Sequence, residues 1–277
     1  MSTPNDIPLI LEPDELEQLL DRPQLLVVDL SDIEKYRHRH VPSAVHLEYS
    51  RLLRQQPPAM GLLPTAAELA AVFSELGLTP DTHVVAYDSE GNGRASRLLW
   101  TLDVVGHEGY SLLNGGARAW FEEGHPAESG VNLPAASVYT VEDTDNADAL
   151  ADRKWILDNL QRDDLVVLDA RSADEFSGLD RRAARAGHIP GAVNLNWTDT
   201  TDPAENGRLR PAGELMELLT DRGVTPEREV VTHCQTHHRS SLMWVVLKSL
   251  GYGRVRGYPG SWSEWGNHPD TPIATGR

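Results

Sequence analysis

The feature that most constrains this chain is an internal repeat, in which the second half restates the first. Four blocks recur in the same order in both halves: Leu25–Leu30 and Leu165–Ala170, His40–Val45 and His188–Val193, Val84–Asp88 and Val230–Cys234, and Leu113–Trp120 and Tyr258–Trp265. The offset is 140 positions between Asp29 and Asp169 and 148 positions between His40 and His188. Because the offset drifts so little, the chain contains two copies of one domain, each of about 130 residues.

Each half alternates short apolar runs with amphipathic stretches. The amphipathic stretches are Glu12–Leu20, Ala66–Leu76, Ser96–Val105, Gly213–Arg222 and Ser240–Leu250. Short apolar runs that are separated by helical patterns are typical of buried parallel strands with crossover helices. We therefore predict an α/β fold, in which each domain is a parallel-sheet sandwich with helices on both faces.

The boundary between the two copies is marked by a change in composition. Residues 131–150 are acidic and polar, and they show no helical period. We predict a first domain at residues 1–130, a linker at 131–150 and a second domain at 151–277.

Charge and cysteine usage exclude several classes of function. The chain has 277 residues and a formal net charge of -17, which disfavours binding to nucleic acid and to anionic membranes. It has one cysteine, so neither an intramolecular disulfide nor a CxxC metal pair is possible. The N-terminus lacks the pattern of a signal peptide, and no apolar run reaches the length of a membrane span. We expect a cytoplasmic protein.

The single cysteine lies in a distinctive context. A predicted buried strand, Val230–Thr232, leads into the polar loop Cys234–Arg239, and a helix follows with Ser240 or Ser241 as its N-cap and Gly251 past its end. Cys234 thus follows the carboxyl end of a strand, where open α/β sheets bind ligands. Backbone N–H groups at such a junction bind anions and lower a thiol pKa.

The residues around Cys234 and in two of the repeated blocks resemble those of a known family. The segments VVTHCQTHHRS, VVLDARSADEF and GHIPGAVNLNW resemble the tandem-domain rhodaneses, the thiosulfate:cyanide sulfurtransferases. The CQTHHR loop is similar to that of bacterial members, and the resemblance covers nearly the whole chain. It implies that Cys234 attacks the outer sulfur of an anionic donor and becomes a persulfide, which a thiophilic acceptor such as cyanide removes. It implies neither a metal nor an organic cofactor.

The other residues of the loop are candidates for substrate binding, with a structural role as the alternative for Arg239. Gln235, Thr236, His237, His238 and Arg239 are expected to bind substrate, with the last three supplying positive charge at the rim of the site. The first half has Asp88 at the position of Cys234. A carboxylate cannot carry transferable sulfur, so we expect the N-terminal domain to be catalytically silent.

Residues outside the loop give weaker signals. Trp197 either lines the mouth of the pocket or belongs to the core. Arg181, Arg182 and Arg185 lie in an insertion relative to the first half. We take Arg182 as the candidate that binds the donor, against the alternative of a solvated basic loop. Four residues are expected to be structural: Asp29, His40, Asp169 and Arg171.

Several alternative functions share the loop or the fold. A 3-mercaptopyruvate sulfurtransferase would use the same nucleophile, although the basic loop suits thiosulfate better. A protein sulfur-relay module would pass the persulfide to a protein acceptor. A phosphatase loop would need five residues between Cys234 and the arginine, whereas four separate Cys234 from Arg239. A metal site is disfavoured because the adjacent His237 and His238 cannot easily converge on a thiolate.

Overall fold

The computed structural model describes residues 7–142 and 148–276. Contacts divide them into two compact units. The first takes the chain up to Leu52, the stretch from Pro64 to residue 142, and the segment Asp202–Leu209. The second takes Leu53–Leu63, the stretch from residue 148 to Thr201, and the chain from Arg210 onward. Each unit therefore includes a short segment from the other half of the sequence. The boundaries drawn from the sequence stay a prediction.

The helices and strands follow the repeat. Before residue 142 the elements are β1 (Ile10–Leu11), α1 (Pro13–Leu19), β2 (Leu25–Asp29), α2 (Ile33–His38), β3 (Val45–His46), β4 (Arg54–Gln56), β5 (Ala59–Leu62), α3 (Ala66–Glu75), β6 (His83–Tyr87), α4 (Gly93–Val104), β7 (Tyr110–Leu113) and α5 (Gly116–Glu122). After residue 148 they are α6 (Arg153–Asn159), β8 (Leu165–Asp169), α7 (Ala173–Ser177), β9 (Val193–Asn194), β10 (Thr201–Asp202), β11 (Arg208–Leu209), α8 (Ala212–Thr220), β12 (Glu229–His233), α9 (Arg239–Ser249), β13 (Val255–Gly257) and α10 (Ser261–Trp265). Short 3-10 helices occur at Tyr49–Leu52, Trp197–Thr200 and Pro203–Glu205.

The sheet of the first unit has the order β1-β7-β6-β2-β3, and its neighbouring strands are all parallel. All five residues of the central strand β6 are buried. On one face, Val27 and Val85 pack in a cluster with Leu16 of α1 and Trp120 of α5. Because strand side chains alternate between faces, α4, which packs on β6 and β7, covers the opposite face.

The sheet of the second unit repeats this plan. Its order is β13-β12-β8-β9, again with parallel neighbours, and Leu150 forms an isolated parallel bridge to Gly257 beyond β13. Val167 and Val231 pack with Trp262 of α10 on one face, and α9 packs on β12 and β13. The prediction of parallel-sheet α/β domains with helices on both faces is confirmed.

The hairpin β4–β5 comes from the first half of the sequence but belongs to the second unit. It packs against α10, and the Met60 N–H donates to Ser263 Oγ at 3.1 Å. Part of the predicted linker, residues 143–147, lies outside the described residues. Of its described parts, residues 131–142 form no helix or strand, whereas residues 148–150 include Leu150, which forms the bridge to Gly257. None of the described helices combines the length and apolar character that a membrane crossing requires.

Candidate active site

Cys234 lies at the predicted junction, directly after β12 and shortly before α9. Its side chain is buried. The helix α9 begins at Arg239 with His238 as its N-cap residue, which makes no side-chain capping bond, so the prediction of a Ser240 or Ser241 cap is wrong. Gly251 follows the helix with a φ of 82°, as expected of a glycine that terminates a helix.

The surroundings of the Cys234 sulfur favour a thiolate. Burial by itself raises the pKa of the thiol, because the charged form loses its hydration. The charge of Arg239, the hydroxyl of Ser240 and the backbone N–H groups of Ser240 and Thr236 act in the opposite direction. Together they outweigh burial, and the pKa of Cys234 lies below its ordinary value.

Hydrogen bonds with three consecutive residues of α10 fix the backbone of the loop. Trp262 N–H donates to the Cys234 carbonyl at 2.9 Å, and Ser263 N–H donates to the Gln235 carbonyl at 3.0 Å. The Cys234 N–H donates to Ser261 Oγ at 3.3 Å. Residues of α10 therefore hold the backbone of the loop in place.

His237 has a structural position in the loop rather than a place at the rim. Its side chain is buried and its φ is 61°, a left-handed conformation that is uncommon outside glycine. Its Nδ1 lies 2.7 Å from Ser240 Oγ, and its carbonyl accepts a hydrogen bond from Ser241 Oγ at 2.6 Å. His237 thus orients the hydroxyl of Ser240 that meets the sulfur. His238 is half-buried, with Nδ1 3.4 Å from Thr236 Oγ1.

Arg239 is held by a carboxylate. Its guanidinium donates two hydrogen bonds to Glu175 in α7, at 2.7 and 3.0 Å. Burial raises the pKa of Glu175, but Arg239 outweighs this and the pKa falls to about 2. Glu175 also accepts from the Ser172 N–H in a capping box at the start of α7. The pair fixes the guanidinium beside the sulfur, and it also offsets the positive charge expected at the rim.

The first unit builds the same loop around Asp88. The backbone N–H groups of Glu90 and Asn92 donate to its Oδ1 at 2.7 and 2.8 Å. Those of Arg94 and Ala95 donate to its Oδ2 at 2.9 and 3.0 Å. Burial nevertheless raises the pKa of Asp88 above its ordinary value. The loop is an anion cradle that its own side chain occupies.

The remaining predicted residues lie around this loop. Trp197 is half-buried at the start of a 3-10 helix that contacts α9, and its backbone N–H donates to the Ala170 carbonyl at 3.2 Å. The side chain of Arg182 is exposed and pairs with Asp180 at 2.7 Å. Only its backbone contacts the loop: the Arg182 carbonyl accepts a hydrogen bond from Gln235 Nε2 at 3.1 Å.

The neighbouring arginines have backbone partners. Arg185 donates to the carbonyls of Thr271 at 2.8 Å and Trp265 at 3.1 Å, and Arg181 donates to Ala183 at 2.9 Å. Both arginines therefore hold the inserted segment in place.

Asp169 and Arg171 form the expected pair and are fully buried, with Arg171 Nη2 2.6 Å from Asp169 Oδ2. His233 Nε2 lies 3.4 Å from the same carboxylate oxygen. Burial lowers the pKa of His233 to about 4, so its ring is neutral at physiological pH. Within residues 7–142 and 148–276, no group of His, Cys, Asp and Glu side chains is arranged to hold a metal ion.

Three residues near the loop were missed in the sequence as parts of the site. Ser240 was interpreted only as a helix cap, and Glu175 only as part of a motif. Gly61 in β5 gave no local signal at all. A Cβ atom on Gly61 would lie 2.3 Å from the Thr236 carbonyl oxygen, so only glycine lets the hairpin approach the loop this closely.

Known proteins resemble the whole chain. The family described as the Rhodanese-like domain matches twice, at residues 12–123 and 152–268. A Pseudomonas aeruginosa protein named thiosulfate sulfurtransferase is 46% identical over 273 residues, which cover 99% of each chain. An Azotobacter vinelandii protein of the same name is 45% identical, covering 96% of this chain and 97% of the relative. A Thermus thermophilus protein named sulfur carrier protein TtuD is 32% identical, covering 97% of each.

Solved structures show the same fold. The Escherichia coli protein SseA, described as a 3-mercaptopyruvate sulfotransferase, superposes with a TM-score of 0.82 at 25% identity, covering 92% of this chain and 99% of that one. An anaerobic ergothioneine biosynthesis enzyme from Chlorobium limicola superposes with a TM-score of 0.86 at 23% identity, covering 97% of this chain and 70% of that one. At such low identity the second likeness supports the fold alone.

Proposed function

The chain belongs to the rhodanese-like family, and we propose that it is a thiosulfate sulfurtransferase whose Cys234 carries the transferred sulfur as a persulfide. Full-length relatives named thiosulfate sulfurtransferase, at 45% and 46% identity, support the enzyme class. One observation carries the proposed mechanism: the only cysteine of the sequence is buried among donors that lower its thiol pKa.

In the first half-reaction, the Cys234 thiolate attacks the outer sulfur of thiosulfate. A new S–S bond forms, the S–S bond of the donor breaks, and sulfite leaves with the electron pair of that bond. The enzyme is left as a persulfide anion. A thiolate rather than a thiol is required for this attack, and the donors around the sulfur favour that state by lowering the pKa of Cys234.

In the second half-reaction, a thiophilic acceptor such as cyanide attacks the terminal sulfur. Thiocyanate leaves, and the Cys234 thiolate is regenerated. Neither step requires a metal or an organic cofactor.

The equivalent loop of the first unit supports the idea that backbone amides of the loop bind the persulfide anion. There, a carboxylate with two oxygens accepts four backbone hydrogen bonds. A persulfide is likewise an anionic group with two atoms that accept hydrogen bonds. Thr236 and Ser240, whose amides meet the Cys234 sulfur, stand 146 positions after Glu90 and Arg94. We propose that the remaining loop amides receive the added sulfur.

Donor binding depends on local charge because the chain as a whole is acidic. We propose that Arg239 and the half-buried His238 attract the thiosulfate dianion, together with the loop amides. Gln235 and Thr236 line the loop, and His237 acts through Ser240. The exposed Arg182 and the half-buried Trp197 remain candidates for contact with the donor.

Two neighbouring functions use the same chemistry. The likeness to SseA favours 3-mercaptopyruvate as an alternative donor, and the likeness to TtuD favours a protein as an alternative acceptor. We propose thiosulfate as the main donor because the loop carries Arg239 beside the sulfur. The proposed location is the cytoplasm.

A steady-state comparison tests the proposal. Thiocyanate formation is measured while thiosulfate and cyanide are varied together, and parallel double-reciprocal lines are expected of a ping-pong reaction. The same assay with 3-mercaptopyruvate should give a lower kcat/KM. A higher kcat/KM for 3-mercaptopyruvate would overturn thiosulfate as the donor, and no turnover with either donor would overturn the proposed enzyme.

A further inference from the structure

The first unit contains a cavity of about 400 Å³ between α2 and α5, at the carboxyl end of β2. This volume is within the range of small-molecule sites. Its buried lining includes Asp29, Ser31 and Ala117, and its exposed lining includes Lys35, Arg39 and Arg118. All of these residues belong to the first unit.

The repeat explains why the cavity exists. In the matched blocks of the second unit, Arg171 stands at the position of Ser31, and Trp262 stands at the position of Ala117. There the Arg171 guanidinium lies over the Trp262 ring at 4.4 Å and both side chains are buried. Two large side chains that fill the second unit are therefore replaced by two small ones that line a cavity in the first.

The first unit retains the carboxylate that pairs with Arg171 in the second unit. Asp29, 2% exposed, accepts hydrogen bonds from the Ser31 N–H at 2.7 Å and from the Tyr87 hydroxyl. Among the described residues no cationic group lies within 4.0 Å of it, whereas its counterpart Asp169 is paired with Arg171. Ser31 is 4% exposed, and its Oγ has no hydrogen-bond partner in the described chain.

The exposed side of the lining carries three cations and one carboxylate, that of Glu122, so its net charge is positive, although Lys35 also pairs with Glu90 at 3.2 Å. Arg39 lies over the Phe121 ring at 4.3 Å, and Arg118 donates to the Pro203 carbonyl at 3.0 Å. Both guanidinium groups, together with the Lys35 ammonium, remain at the exposed side of the lining. A ligand that matches this arrangement has a positive group directed inward and a negative group directed outward.

We propose that this cavity is a binding site for a small zwitterion of the amino-acid class. The cation at the end of its side chain, a guanidinium or an ammonium group, would take the place that the Arg171 guanidinium occupies in the second unit and would pair with Asp29. Its carboxylate would lie among Lys35, Arg39 and Arg118. Ser31 Oγ would accept a hydrogen bond from the inward group, which satisfies its unused oxygen.

Calorimetric titration of the full chain with three probes tests both halves of the site. L-arginine carries both charges, L-citrulline replaces the guanidinium with a neutral group of similar shape, and agmatine lacks the carboxylate. We expect one molecule of L-arginine to bind, about tenfold or more tighter than either of the others, because each loses a charge-assisted contact. Absence of L-arginine binding, or equal binding of citrulline, would overturn the proposal.

Variants separate the site from nonspecific binding. Ser31→Arg supplies the missing guanidinium from the chain and should weaken L-arginine binding by about tenfold to a hundredfold. Ser50→Arg adds the same charge at an exposed position away from the cavity and should leave the affinity unchanged. Lys35→Gln, at an exposed side chain that folding tolerates, should weaken L-arginine binding but not agmatine binding. Full L-arginine affinity in both Ser31→Arg and Lys35→Gln would contradict the assignment.

Discussion

The same loop surrounds a different anionic group in each of the two units. In the first, the Asp88 carboxylate accepts four backbone hydrogen bonds at 2.7–3.0 Å and fills the cradle permanently. In the second, a cysteine sulfur of lowered pKa lies in the cradle, with Arg239 and Ser240 as additional donors. The comparison teaches that the cradle binds negative charge irrespective of chemistry. In the proposed function, the side chain at its centre then decides whether the loop serves stability or sulfur transfer.

The largest effect is expected at the centre of the second cradle. Cys234→Ser removes the group that is proposed to form the persulfide, and an alcohol is not ionised near neutral pH. The rate of thiocyanate formation should fall by a factor of about a thousand or more. Retention of substantial turnover in this variant would show that another group carries the sulfur.

The next effect concerns the charge that lowers the Cys234 pKa. In the wild-type enzyme the pKa of Cys234 lies below its ordinary value, so the acid limb of the kcat/KM profile should lie at a lower pH than the ordinary thiol pKa of about 8.5. Arg239→Gln removes a cation that stabilises the thiolate, so the acid limb of the profile should move to higher pH. The KM for thiosulfate should rise about tenfold.

A double variant controls for misfolding. Arg239→Gln alone leaves the buried carboxylate of Glu175 without its partner, which costs stability. The double variant Arg239→Gln with Glu175→Gln contains no unpaired carboxylate at this position. If both the pH profile and the KM match those of wild type in the double variant, Arg239 has no part in activating the thiol.

Gly61 offers a test of how the hairpin supports the second cradle. Gly61→Ala should push the Thr236 carbonyl away, since the new Cβ would lie 2.3 Å from it, and thereby shift the Thr236 amide from the sulfur. We expect kcat/KM to fall about tenfold. Gly213→Ala in α8 is the matched control, because its Cβ meets nothing within 4 Å and its activity should be unchanged. Wild-type activity in Gly61→Ala would mean that the loop tolerates the shift.

The smallest effect on activity is expected in the first cradle. Asp88→Asn places an NH2 group where a carboxylate oxygen accepted amides, so the free energy of unfolding should fall by about 1–3 kcal/mol. Sulfur transfer should remain within a few-fold of wild type. A hundredfold loss of turnover, with circular dichroism showing an intact fold, would contradict the silent role of the first domain.

The repeat and the period of the apolar runs were sufficient to predict two parallel-sheet domains. They could not reveal that Leu53–Leu63 and Asp202–Leu209 change units, because neither segment has a pattern that distinguishes its partner. The position of Cys234 could be predicted because the strand, the polar loop and the helix are adjacent in sequence. The pairing of Glu175 with Arg239 depends on residues 64 positions apart, which only the fold brings together.

His237 shows the limit of reading charge from composition. Three adjacent basic residues predicted a positive rim, yet the left-handed backbone at His237 turns its side chain into the protein. The conformation of a single residue in a tight loop decides this, and neither propensity nor charge pattern specifies it.

The intact mass of the protein after incubation with thiosulfate tests the central claim most directly. The wild-type chain should gain the mass of one sulfur atom and lose it when cyanide is added, while Cys234→Ser should gain none and Asp88→Asn should behave as wild type. An unchanged wild-type mass, or a gain that persists in Cys234→Ser, would contradict a persulfide carried in the cradle of the second unit.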